Sequence, residues 1–120
     1  MYDQKIKSTL DLAGDYYQSA EEELLKPAED IVPYLVCRNA YRAIQNYLTG
    51  FLMNHDLKAN PGITLKEILL DCRNYDSRFS NLHLDLLYDA HENEDVWMDL
   101  DIANQFMKLA NQTKQLVVQN

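Results

Sequence analysis

Apolar residues recur along this chain in alternating steps of four and three. Ile6, Leu10, Ala13, Tyr17, Ala20 and Leu24 fall on one face of a helix by that stepping. Pro27 ends or follows this helix. Asp30 and Pro33 mark the next start, an acid near the N-terminus and a proline in the first turn. A second stripe then runs through Tyr34, Cys37, Tyr41, Ile44, Leu48 and Phe51, to about His55, where "KANPG" breaks it. "TLKE", Thr64 to Glu67, reads as a capping box, the threonine hydroxyl and the glutamate each reaching a free backbone N–H. Leu65, Ile68, Leu69 and Cys72 face inward from a shorter third helix. A fourth short helix is predicted over Leu82 to Ala90, capped by Ser80 or Asn81. Asp99 caps the last helix, whose stripe is Ile102, Phe106, Leu109, Thr113 and Leu116.

No segment alternates with period two, and no repeat, low-complexity tract or linker interrupts the pattern. The 120 residues therefore predict one domain, residues 1–120, all-α, an antiparallel up-and-down bundle of four to five helices. Faces stepped by three and four pack at small crossing angles. Glu21, Glu22 and Glu23 stand near the C-terminal end of the first helix, where the helix dipole disfavours acids. They read as a solvated face.

Composition narrows the function. The formal net charge is −8, and no Lys or Arg occurs between Arg78 and Lys108. That interval holds Asp85, Asp89, Glu92, Glu94, Asp95, Asp99 and Asp101. A surface that neutralises phosphates needs the opposite sign, so broad nucleic-acid binding there is repulsive. The two cysteines, Cys37 and Cys72, lie in apolar helical patterns and read as reduced, buried thiols of a cytoplasmic protein. The opening "MYDQKIKSTL" has no apolar core, so no signal peptide is expected. No run approaches the ~18 apolar residues of a membrane span. Gly-rich phosphate loops, zinc-type Cys/His spacing and nucleophile elbows are absent from the sequence, and no cofactor or metal is expected.

Three stretches, "AYRAIQNYLTGFLMNHDL", "TLKEILLDCRNYDSRF" and "LLYDAHENEDVW", resemble the HEPN family (higher eukaryotes and prokaryotes nucleotide-binding) in order and spacing. In that family a long helix with an alanine–aromatic–arginine start precedes a short "TLxELL" helix. An "LxxxY" element and an acidic turn then lead into a last helix. The resemblance spans about Pro33 to Val117. It implies a helical bundle that often pairs as a homodimer, in many members partnered with a nucleotidyltransferase in a toxin–antitoxin-like pair. Some members are metal-independent endoribonucleases that use an Arg-x(4–6)-His motif across the dimer seam. Others lack the motif and serve as binding or scaffold modules.

Arg78 and His83 fit the motif's spacing. A histidine titrates near neutrality and can move the proton of a ribose 2′-OH. An arginine fork matches phosphate oxygens. Position weighs against this pair: Phe79 follows the arginine where ribonuclease members commonly carry a polar residue, and acids crowd in after His83. Arg38 and Arg42, one turn apart on the second helix, are the candidates for a nucleotide or phosphate. Ion pairing with acids of the first helix or of a second subunit is the plainer reading of both. His91 with Asp89, Glu92, Glu94 and Asp95 lacks the spacing of a cation loop and reads as a solvated acidic turn. Tyr16, Tyr17, Tyr34, Tyr41, Tyr47, Tyr75 and Tyr88 could serve as stacking platforms for bases, but tyrosines at helical spacing read first as core or interface, and Trp97 reads as an anchor for a connection or a dimer contact. The first expectation is thus a dimeric, non-catalytic HEPN-like binding or scaffold module. The runner-up is an endoribonuclease toxin using Arg78 and His83, and the third is a nucleotide-binding regulator using Arg38 and Arg42.

Overall fold

The computed structural model describes residues 4–55, 57, 64–92 and 97–118, and among these there is no strand. Five α-helices follow in order: α1 (Gln4–Leu24), α2 (Pro33–Asn54), α3 (Leu65–Tyr75), α4 (Asp85–Glu92) and α5 (Leu100–Val118). Short 3-10 turns at Ala28–Asp30 and Ser77–Asn81 interrupt the connections. The all-α expectation therefore holds. No described helix is long and apolar enough to cross a membrane.

The α1 and α2 helices form an antiparallel hairpin. Thr9 near the start of α1 meets Met53 near the end of α2, and Gly14 faces Tyr47. Gly50 makes room at the contact: a Cβ there would lie 2.9 Å from Leu10 Cγ, so any larger residue would have to push the Leu10 side chain aside. The predicted α1 stripe points inward, with Ile6, Ala13 and Ala20 buried and Leu10, Tyr17 and Leu24 half-buried. α2 departs from the single predicted stripe. Val36, Cys37, Ala40, Ala43, Ile44, Tyr47, Leu48, Gly50, Phe51 and Leu52 are all buried, which is nearly the whole girth of the helix. It is the central post of the molecule, and its small residues serve the α1 side.

The solvated reading of the glutamate run fails at Glu23. Its carboxylate is 7% exposed. It accepts from the Val32 backbone N–H at 3.0 Å and from Lys26 Nζ at 3.0 Å. Val32 is the N-cap of α2 and has no side-chain cap of its own, so Glu23 closes the hairpin by receiving an N–H that helix geometry leaves open. The Val32 N–H, foremost, and the Lys26 ammonium hold the Glu23 carboxyl below the ordinary glutamate range. Asp30 ends a 3-10 turn just ahead of α2, and Pro33 takes the first position of the helix.

The return from α2 is split. Tyr75 at the end of α3 rests on Phe51 and His55, near the bottom of α2. Phe79 packs on Phe51 with ring centroids 4.7 Å apart. Higher up, Trp97 packs on Tyr41 and Tyr34. From there α5 descends beside α2 and antiparallel to α1: Asn111 meets Tyr17, and Val117 packs with Ala43 and Tyr47. The fourth helix starts at Asp85, not Leu82. Ser77–Asn81 turn as a 3-10 segment, with Asp76 Oδ1 accepting from the Arg78 N–H, and Leu82 and Leu84 are pinned in the core before the helix begins.

Of the predicted caps, those at Thr64 and Asp99 form, while Ser80 and Asn81 lie within the 3-10 turn and cap no helix. Thr64 Oγ1 accepts from the Glu67 N–H at 3.2 Å, although the Glu67 carboxylate takes the Thr64 hydroxyl's own proton instead of a backbone N–H. Asp99 Oδ1 accepts from the Asp101 N–H at 2.7 Å.

Candidate functional site

Arg78 and His83 occupy different settings. Arg78 sits in the Ser77–Asn81 turn, and its fork is engaged: Nε and NH2 donate to Asp76 Oδ2 at 3.0 and 2.8 Å. That bond, chiefly, pulls the Asp76 carboxyl below its usual range. His83 lies in the extended link before α4, exposed and without a hydrogen bond among the described residues. The nearby Arg73 is committed to structure. Its Nε donates to the Phe79 carbonyl at 3.3 Å and its NH2 to the Leu82 carbonyl at 2.6 Å, which fixes the turn that carries Arg78.

Arg38 and Arg42 share a helix face by spacing, but their side chains part. Arg42 lies over the Tyr16 ring of α1, 5.7 Å from its centroid. Arg38 lies over Tyr34, 6.0 Å from that centroid. The expected ion pairs do not form among the described residues; aromatic faces take the cations instead. Tyr34 also receives Trp97 at 5.5 Å, and Trp97 touches Phe106 of α5, so the tryptophan anchors the connection into the last helix. Arg38 Nε and Trp97 Nε1 are buried without an acceptor.

Among the described residues, the open concavities of the surface include a larger and a smaller one. One, of about 580 Å³, lies between α1 and α5 and is lined by Tyr17, Glu21, Leu24, Leu25, Asn104, Met107, Lys108 and Asn111. Leu25 beside it is 80% exposed. Glu21 stands on the α1 wall and Lys108 on the α5 wall, and neither forms an ion pair among the described residues. The other, of about 380 Å³, is lined by Leu57, Asp71, Asn74 and Tyr75. Of the lining residues, the sequence points only to Tyr17 and Tyr75, as aromatic faces, and not to the concavities themselves. The larger one joins helices far apart in the chain, with an apolar Leu25 directly after the α1 stripe as its local signal, and the smaller one sets α3 residues against Leu57.

The cysteines offer no nucleophile. Both are buried and free, and burial, the larger effect, pushes each thiol up to about 12. No cluster of metal-ligating side chains occurs among the described residues. The acidic turn at Glu94 and Asp95, with the side chains of Asp89, His91 and Glu92, lies outside the described residues, as does most of "KANPG". Compared with known proteins, the chain matches no family model, and neither a curated protein nor a solved structure is significantly similar to it.

Proposed function

We propose that this chain is a non-catalytic binding module of the HEPN type that acts as a homodimer, with a nucleotidyltransferase-like protein as its further partner. The observation that carries the reading is the groove between α1 and α5. α1, α2 and α5 supply three long helices and α3 packs on α2, so among the described residues no helix covers the α1–α5 side. Leu25 projects beside a floor of Leu24 and Met107, and walls of opposite sign stand in Glu21 and Lys108. A two-fold interface must be self-complementary, and one copy's Glu21 meeting the other's Lys108 satisfies that requirement while Leu25 enters the facing floor. The nucleotidyltransferase-like partner rests on the resemblance alone.

The Arg78–Asp76 fork weighs against the ribonuclease reading, because a phosphate would have to displace a carboxylate already bound through two guanidinium nitrogens. Light scattering on the purified chain should give twice the 14.0 kDa chain mass, and Leu25→Glu should halve it. A wild-type monomer at every concentration tested contradicts the reading. So does cleavage of a fluorogenic RNA that disappears in His83→Ala.

A further inference from the structure

Four aromatic rings run from the core to the surface at the lower end of α2. Phe79, fully buried, packs on Phe51, and Phe51 packs on His55 at 4.6 Å. His55 meets Tyr75 at 4.5 Å, with the two planes 35° apart. The series stops at Tyr75, which is 51% exposed and borders the 380 Å³ concavity. Its far side carries no ring among the described residues. Asp71, Asn74 and Tyr75 come from one face of α3, because residues three and four apart on a helix are neighbours. Leu57 supplies an apolar wall across from them. Neither the Asp71 carboxylate nor the Asn74 amide makes a hydrogen bond among the described residues, so both are available to a ligand.

From this arrangement we propose a binding site for a planar, amino-bearing nitrogen heterocycle of nucleobase size, stacked on Tyr75 and read along its edge by Asp71 and Asn74. Each part follows from the residues present. An aromatic face takes any flat π system, and bases stack on such faces whatever their identity. A carboxylate only accepts, so the edge facing Asp71 must donate, as an exocyclic amine does. The Asn74 amide both donates and accepts, so the neighbouring ring nitrogen is free to be either. Charge fixes what the ligand lacks. The chain carries a net −8, Asp71 is in the site, and the nearest arginines in the sequence are both committed, Arg73 to the Phe79 and Leu82 carbonyls and Arg78 to Asp76. Among the described residues that line the site there is no cation to receive a phosphate, so the site takes a nucleoside or free base in preference to a nucleotide. This inference concerns the lower end of α2 and is independent of the groove between α1 and α5.

Saturation-transfer NMR on the full chain tests it, with adenosine as the probe, uridine as a partner lacking the exocyclic amine, and AMP at matched ionic strength. Adenosine should show saturable transfer to its base protons, uridine little, and AMP a weaker response than adenosine. Tyr75→Phe keeps the ring and should keep the signal. Tyr75→Ala and Asp71→Leu should abolish it while circular dichroism reports an intact helical fold, since Tyr75 is largely at the surface. No saturable transfer from adenosine to the wild type overturns the proposal. So does equal binding of uridine, or binding that survives Tyr75→Ala. AMP binding more tightly than adenosine overturns the claim that the site avoids phosphate.

Discussion

Acid should reach the folded state through Glu23. Its folded pKa lies below the unfolded value of about 4.3. Its contribution to stability is therefore present in full above that value and is lost as pH falls through the lower, folded one. Urea midpoints should be flat near neutrality and decline once the pH drops into the carboxylate range. Glu23→Gln, which keeps an acceptor for the Val32 N–H but cannot titrate, should show a shallower decline. Glu23→Ala leaves that N–H without its partner and should cost about 1–3 kcal/mol at neutral pH. An unchanged midpoint in Glu23→Ala would mean that water replaces the carboxylate without loss. The cysteines give a second expectation at this scale. With both thiols buried and raised to about 12, a thiol reagent at pH 8 should label neither until denaturant unfolds the chain. Rapid labelling of the native protein would place one of them at the surface.

Elements were legible where the fold obeys local rules. The stripes of α1 and α5, the proline at the head of α2 and the caps at Thr64 and Asp99 depend on neighbours within one turn, and the sequence displays them. What was hidden depends on distant partners. Glu23 looks solvated among three glutamates until the chain folds back and brings Val32 to it. α2 reads as one-sided because its second buried face uses alanines and a glycine, which a count of large apolar residues does not register. The start of α4 was misplaced because Arg73 and Asp76 stabilise a 3-10 turn across Ser77–Asn81, a choice made by side chains outside the turn. Arg73→Met should therefore loosen that turn selectively. Amide exchange should rise at residues 79–84 well before it rises in α2, with about 1–3 kcal/mol lost overall. Uniform loss of protection across all helices would show that the turn has no local stability of its own.

At the scale of the molecule, the central post is wrapped on its α1 and α5 sides and by the α3–α4 return, which leaves the seam between α1 and α5 open. The candidate chemistry thinned as the structure was assembled: Arg78 is tied to Asp76, Arg38 and Arg42 rest on rings, and the thiols are protonated. What stayed open was surface, and surface built by two distant helices has no signature in a single stretch of sequence. The homodimer claim meets its most direct test in a charge-exchange cycle followed by sedimentation equilibrium. Glu21→Lys alone and Lys108→Glu alone should each shift the chain toward monomer by setting like charges against each other across the seam. The double variant should regain the dimer. Wild type and all three variants sedimenting with the same mass, or a double variant no more associated than its parents, would contradict pairing through this groove.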